Sequence, residues 1–292
     1  MSLTTTAPFC ICGMEKLWYT IPMEQRRNIK TQLTLAGHTP NPALGQNFLT
    51  DEGTIAKILE TAEIEGQLVV EIGPGLGALT RPLSTLAAKV VAVEKDARLA
   101  EGLRTQLSSD HVTVITGDFL DADLPALTEG KPWVALGNLP YYVTTPIVEK
   151  LLVNGPESMT LMMQSEAAQR FFALPGDRVY GPVAVMSQYF YQPQPVCAVP
   201  PSSFYPIPKV DSAVVRLTRV ERALDAPGFL TFLKRAFAMR RKTLRNNLAP
   251  KSGFDEALEA LGLPAGVRAE AIPPESLAAL YQLEREGGLQ PK

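Results

Sequence analysis

The chain has 292 residues, 46% of them hydrophobic and 20% charged, with a formal net charge of −2. That balance is globular, and the length allows one large domain and a small one. No apolar run approaches the ~20 residues of a membrane helix, the first 35 residues lack the charged head and apolar core of a secretory signal, and three cysteines cannot build a disulfide framework, which fits a reducing cytoplasm.

Residues 1–36 have no clear periodicity and read as an extension with little structure of its own. Cys10-Ile-Cys12 would be half of a metal site, with only Cys197, His38 and His111 left to complete it, so these cysteines read as incidental and no metal is expected. Regular patterning starts at "GQNFLTDEGTIAKILETAEI". Thr50 or Asp51 caps a helix whose apolar face includes Ile55, Ile58 and Leu59. Short β-branched runs then alternate with helical stretches: "LVVEI" (68–72), "KVVAV" (89–93), "VTVI" (112–115), "WVAL" (133–136), "MTLMM" (159–163) and "SAVVRL" (212–217). This alternation predicts an α/β fold with a mostly parallel sheet. Residues 193–210 are proline-rich and read as irregular chain with at most one short strand. "FLTFLKRAFAMRRKTLRNNL" and "ESLAALYQLERE" read as helices, so a small helical domain follows. The predicted divisions are 1–36, 37–221 and 222–292.

The net charge hides an asymmetry. Between residues 209 and 251 eleven cations face three anions, a net of +8 that leaves −10 for the rest. A localised basic patch is what a phosphate backbone responds to, although charge alone equally suits a solvated helix face.

"VVEIGPGLGALT" sets Gly73, Gly75 and Gly77 between a strand and a helix, where glycine permits a tight turn and close approach to a ligand. The next strand ends at Glu94, at the interval where nucleotide-binding folds place a carboxylate for ribose hydroxyls. The third strand leads into "GDFL", where Asp118 is able to reach an adenine amino group or merely to cap a helix. Two ligands fit this set. A dinucleotide would mean a dehydrogenase; S-adenosylmethionine (SAM) needs no pyrophosphate site. The Gly-x-Gly-x-Gly spacing and Glu71 before the turn favour SAM, while pattern alone keeps both.

The fourth strand ends in Asn138-Leu139-Pro140-Tyr141. An adenine amino group is a poor nucleophile because its lone pair is delocalised into the ring. Two acceptors aimed at its N–H groups favour a pyramidal nitrogen. The Asn138 side-chain oxygen supplies one and the Leu139 carbonyl the other, held by the restriction Pro140 imposes on the residue before it. Tyr141 offers a ring face for an unstacked base. A capped turn with two aromatic core residues is the plainer alternative.

Together these segments resemble the small-subunit ribosomal RNA adenine N6,N6-dimethyltransferases of the KsgA/RsmA type. The matching stretches are "GQNFL" (45–49), "VVEIGPGLGALT" (69–80), "VAVEKD" (91–96), "GDFL" (117–120), "NLPYYVTTPI" (138–147), "FYPIPKVDSAVVRL" (204–217) and "RRKTLRNNL" (240–248), in the family's order. The resemblance implies a Rossmann-like SAM-dependent domain that dimethylates two adjacent adenosines in a hairpin near the 3′ end of small-subunit rRNA. It further implies that Asn47 and Leu49 close over SAM, Gly73 lies against its methionine part, Glu94 takes the ribose, Asp118 reaches the adenine and Asn138 bridges cofactor and target. Phe204 would stack on the target base opposite Tyr141, or else anchor its loop in the core. The "RRKTLRNNL" helix, with Arg240, Arg241, Lys242 and Arg245, would contact phosphates.

Two positions depart from the pattern: "HTPNPAL" is neutral but for His38 where the family is basic, and Ser165 stands where a lysine is usual. Both weaken phosphate attraction. Residues 1–36 are an addition, read as an unused upstream start or a targeting segment. The expected partner is small-subunit rRNA or a pre-30S particle, for a cytoplasmic monomer without a membrane or a stable protein partner. The alternatives are a large-subunit methyltransferase of the antibiotic-resistance type, a non-catalytic assembly or transcription factor on the same fold and, most distantly, the dehydrogenase.

Overall fold

The computed structural model describes residues 29–35, 37–107, 109–249 and 252–287. Cys10, Cys12 and Lys251 lie outside them. The chain divides into residues 1–39 and residues 40–292. The first unit holds helix Ile29–Leu35, closed by the His38 amide donating to the Leu33 carbonyl at 2.9 Å.

Among the described residues the second unit carries nine strands: β1 (Phe48–Leu49), β2 (Leu68–Ile72), β3 (Lys89–Glu94), β4 (Val112–Thr116), β5 (Val134–Asn138), β6 (Ser158–Gln164), β7 (Tyr191–Val199), β8 (Phe204–Tyr205) and β9 (Ser212–Arg219). Seven form one sheet in the order β4-β3-β2-β5-β6-β9-β7. The first five are parallel, β9 runs antiparallel to β6, and β7 antiparallel to β9. The central strands are mostly apolar, as suits a sheet covered on both faces; Val69, Val70, Val90 and Ala135 are fully buried. The chain runs outward from β2 to β3 and β4, then returns to β5 on the other side of β2. That reversal opens a crevice at the carboxyl ends of β2 and β5, where ligands bind in such sheets.

Two expectations need correction. Residues 191–199 form a nine-residue strand, not irregular chain. β7 lies at the sheet edge and pairs only with β9, so Pro193 and Pro195 forfeit no second ladder, and a register shift between Pro195 and Cys197 absorbs the irregularity. The predicted continuous helix over 229–248 is broken: one helix spans Ala226–Ala236, residues 237–243 turn, and a five-residue helix, Leu244–Leu248, follows. Thr243 starts the second helix by accepting the Asn246 amide at 3.3 Å.

The last two helices are Phe254–Ala260 and Pro274–Arg285. Phe229, Phe232 and Tyr281 pack with Tyr189 in ring pairs 5.5–6.3 Å apart. The apolar core runs unbroken from Val70 and Ile72 in the sheet to Leu277 and Leu280 in the last helix. The boundary proposed near residue 221 therefore marks a change from strand to helix across a continuous core.

Candidate functional site

The crevice has two halves. On the cofactor side, Gly73, Gly75 and Gly77 all adopt positive φ, so the turn after β2 curls in a way most side chains resist. A Cβ on Gly75 would meet the Phe48 ring at 3.1 Å. The turn is pinned from β3. The Gly73 amide donates to the Val93 carbonyl at 3.0 Å, and the Gly75 amide donates to Glu94 Oε2 at 2.9 Å. Glu94 Oε1 accepts the Asp96 amide at 2.8 Å. Burial raises the Glu94 pKa, and these amide bonds oppose the rise.

Glu71 lies deeper, only 1% exposed, and its Oε2 has no hydrogen-bond partner among the described residues. Burial pushes its pKa up to about 8; the Thr80 hydroxyl opposes the shift and the Glu94 carboxylate adds to it. Glu94 at the end of β3 suits ribose hydroxyls, and the glycine turn leaves room for the amino-acid end of SAM, which needs no pyrophosphate site.

Asp118 sits just past β4, tied to β3 through the Gly117 amide donating to the Glu94 carbonyl at 2.9 Å. Its Oδ1 accepts the Leu120 amide at 2.9 Å and caps a short helical turn, as the plainer reading expected. Its Oδ2 accepts from Lys95 Nζ at 2.8 Å, and that contact lowers its pKa. The acid is ionised and partly exposed at the rim, beside Lys95.

The target half starts at the end of β5. Asn138 Nδ2 donates to the Asn47 carbonyl at 3.0 Å, which fixes which way the amide faces and leaves Oδ1 as an acceptor. Leu139 is buried, and its amide donates to the Met162 carbonyl at 2.8 Å. Pro140 takes φ −61° and ψ 130°, and its carbonyl accepts from the Val143 amide and the Thr144 hydroxyl. Tyr141 is half-buried, its hydroxyl 2.8 Å from Ser212 Oγ, which holds the ring to β9. Burial raises its pKa, so it stays a neutral phenol.

Residues 45–49 cross between the halves. Leu49 pairs with Phe204 and Phe48 with Tyr205, and the Thr50 amide donates to the Ser203 carbonyl at 2.8 Å. Leu49 and Phe204 are 5% and 2% exposed, so both anchor this ribbon as the chain stands. Asn47 Nδ2 donates to the Gly45 carbonyl at 3.2 Å. Sequence reasoning passed over Gln46, whose Nε2 donates to Asp96 Oδ2 at 3.1 Å, and over Lys95. Both lie inside the quoted stretches "GQNFL" and "VAVEKD", but residue type alone does not distinguish them from surface polar groups.

The cations predicted for RNA lie apart from this crevice in sequence and are partly engaged. Arg240 bonds Glu270 at 3.0 Å and the Arg178 carbonyl at 2.8 Å. Arg245 pairs with Asp255 and lies over the Phe254 ring. Six of the eleven cations between 209 and 251, namely Arg216, Arg219, Lys234, Arg235, Arg240 and Arg245, pair with acids outside that segment. Arg241 and Lys242 stand exposed on the turn with no ion pair among the described residues.

Residues 37–284 match the family model described as ribosomal RNA adenine dimethylase. The ribosomal RNA small subunit methyltransferase A of Shouchella clausii is 41% identical over 84% of this chain and 89% of its own length. The enzyme of that name from a Shewanella species is 42% identical over 85% of this chain and 95% of its own length. Among solved structures, a dimethyladenosine transferase from Plasmodium falciparum aligns with a TM-score of 0.70 at 26% identity, covering 83% of this chain and 99% of that one. The 23S rRNA methyltransferase ErmE aligns at 0.61 and 33% identity, over 81% and 98%.

Proposed function

The chain belongs to the ribosomal RNA adenine dimethylase family, and on that premise we propose how its residues act. It is a SAM-dependent enzyme that dimethylates adenine N6 in small-subunit rRNA. The large-subunit alternative is not favoured: the curated relatives at 41–42% identity are small-subunit enzymes, whereas ErmE stands at 33%. The finer target in this reading is a pair of adjacent adenosines in the 3′-terminal hairpin, methylated twice each by a cytoplasmic monomer, on naked rRNA or on an assembling particle.

The glycine turn and Glu71 would face the amino-acid end of SAM, Glu94 the ribose and Asp118 the adenine, with Asn47 and Leu49 covering it. SAM supplies an electron-poor methyl group, so no strong base or covalent nucleophile is required of the protein. The protein's task is to expose the lone pair of the target nitrogen. The observation that carries this reading is the Asn138 Nδ2 bond to the Asn47 carbonyl. With the nitrogen turned toward that carbonyl, Oδ1 accepts one target N–H. The Leu139 carbonyl, in a backbone restricted by Pro140, accepts the other. Tyr141, fixed by Ser212, offers its ring to the base. Phe204 would add a second ring only if binding uncovered it.

The direct test incubates the protein with methyl-labelled SAM and small-subunit particles lacking the modification, followed by digestion to nucleosides. Label in N6,N6-dimethyladenosine is the expected result. No label with SAM bound, or label only in a parallel reaction on large-subunit RNA, would refute it.

A further inference from the structure

Gln46 is placed to link the two halves of the crevice. Its Oε1 accepts the Asn41 amide at 2.8 Å, and its Nε2 donates to Asp96 Oδ2 at 3.1 Å. The other Asp96 oxygen caps helix Ala97–Gln106 by accepting the Arg98 amide at 3.0 Å and, more weakly, the Leu99 amide. The Asp96 backbone amide holds Glu94 Oε1 at 2.8 Å. One residue beyond Gln46, the Asn47 carbonyl holds the Asn138 amide. A connected path thus runs from Glu94 through Asp96, Gln46 and Asn47 to Asn138. Apart from the main-chain link between Gln46 and Asn47 and those within Glu94–Asp96, every step is a hydrogen bond.

We propose that Gln46 is a positioning residue: it ties residues 45–49 to the end of β3, so that the Asn47 carbonyl stays where it fixes the Asn138 amide with its oxygen toward the target nitrogen. The inference rests on the reading of Asn138 given above. Gln46 touches no reacting atom; it acts through Asn47. The polarity of the contact makes it testable, because the two partners are an amide donor and a carboxyl acceptor, each holding a second bond that fixes which way it faces.

The Gln46→Glu change keeps the acceptor for the Asn41 amide and sets a carboxylate against Asp96. Asp96→Asn keeps the helix cap and turns an amide nitrogen toward Gln46 Nε2. Each single change breaks the contact. Together they rebuild it with donor and acceptor exchanged, the new amide nitrogen at position 96 donating to the new carboxylate at position 46. With saturating SAM and under-methylated small-subunit particles, kcat should fall about ten- to a hundredfold in Gln46→Glu, as for loss of a hydrogen bond to a charged group. It should fall less in Asp96→Asn, and return to within about threefold of the parent in the double variant. Gln46→Glu alone should also regain activity as the pH is lowered and one carboxyl of the pair takes a proton, a trend a neutral structural role would not produce. Exchange protection of the Asn138 side-chain amide, followed by NMR on Asn-labelled protein without RNA, should be lost in Gln46→Glu and restored in the double variant.

Additive losses in the double variant, or unchanged Asn138 protection in Gln46→Glu, would overturn the proposal. Because the NMR readout needs no substrate, it tests the link even if the rRNA assignment failed; that failure would show instead as absent methylation by the parent protein.

Discussion

The cofactor half of the crevice and the basic turn at 240–245 are built in opposite ways. The first is made from contiguous motifs at the ends of adjacent parallel strands. Its acids are buried and its amides committed: Glu94 holds two backbone N–H groups, and Glu71 is 1% exposed. The second is exposed, and Arg240 and Arg245 lean on acids from the C-terminal region. Buried polar groups are costly to disturb; exposed ion pairs are worth little. The contrast implies a rigid site for the small ligand and an adaptable surface for a large polyanion.

The largest effect should come from the end of β5, beside the rigid half. Asn138→Ala should lower kcat by roughly 10²–10³-fold, the scale seen when one preorganised polar group at a reacting centre is removed, while SAM affinity stays within a few-fold. Calorimetry and single-turnover rates on the same preparation separate the two. A parallel loss of SAM binding would place Asn138 on the cofactor side and blur the contrast.

Glu94→Ala should weaken SAM binding by roughly 1.5–3 kcal/mol, the cost of losing a charged hydrogen-bonding group, and leave the salt dependence of RNA binding unaltered. An unchanged SAM affinity would remove Glu94 from the rigid site.

Glu71 gives a pH signature. Its folded pKa is raised, so between the unfolded value near 4.5 and about 8 the folded state retains a proton that the unfolded state has released. Stability therefore falls as pH rises across that window, by at most about 1.4 kcal/mol per pH unit from this group. Glu71→Gln, which mimics the protonated acid, should flatten that part of the slope in denaturant titrations at pH 5, 6, 7 and 8. Parallel slopes in the two proteins would show that Glu71 ionises freely.

The smallest effect belongs to the surface. Neutralising Arg241 and Lys242 should reduce the slope of log affinity against log salt by up to about 0.7–0.9 for each phosphate left without its cation. Neutralising Arg240 and Arg245 should do less, because each also releases an acid that repels the RNA. Equal effects from both pairs would mean that the salt bridges open on binding.

Much of the cofactor half was legible because its geometry is local. A β-branched run followed by Gly73, Gly75 and Gly77 specifies strand, turn and helix within one short stretch, and Glu94 and Asp118 follow from strand ends. What escaped depends on distant partners. The strand over 191–199 was hidden because Pro193 and Pro195 signal irregular chain unless the edge position is known. The helix through 240–248 was overdrawn because its residues carry a helical pattern, while Thr243 and the contacts of Arg240 with Glu270 and Arg178 turn the chain. The +8 segment looked like a free patch because its neutralising acids, Glu63, Glu149, Glu157, Asp255, Glu270 and Glu284, lie elsewhere in sequence. Gln46 lies within the "GQNFL" stretch, but only its contact with Asp96 shows what it does.

Methyl transfer by this mechanism turns on which way one amide faces. A crystal structure with S-adenosylhomocysteine bound, at a resolution where hydrogen-bond partners distinguish oxygen from nitrogen, tests it most directly. The predicted result keeps Asn138 Nδ2 on the Asn47 carbonyl and puts Oδ1 beside the sulfur, open to an incoming base. An Asn138 side chain turned into the protein, or an amide nitrogen presented to that space, would contradict it.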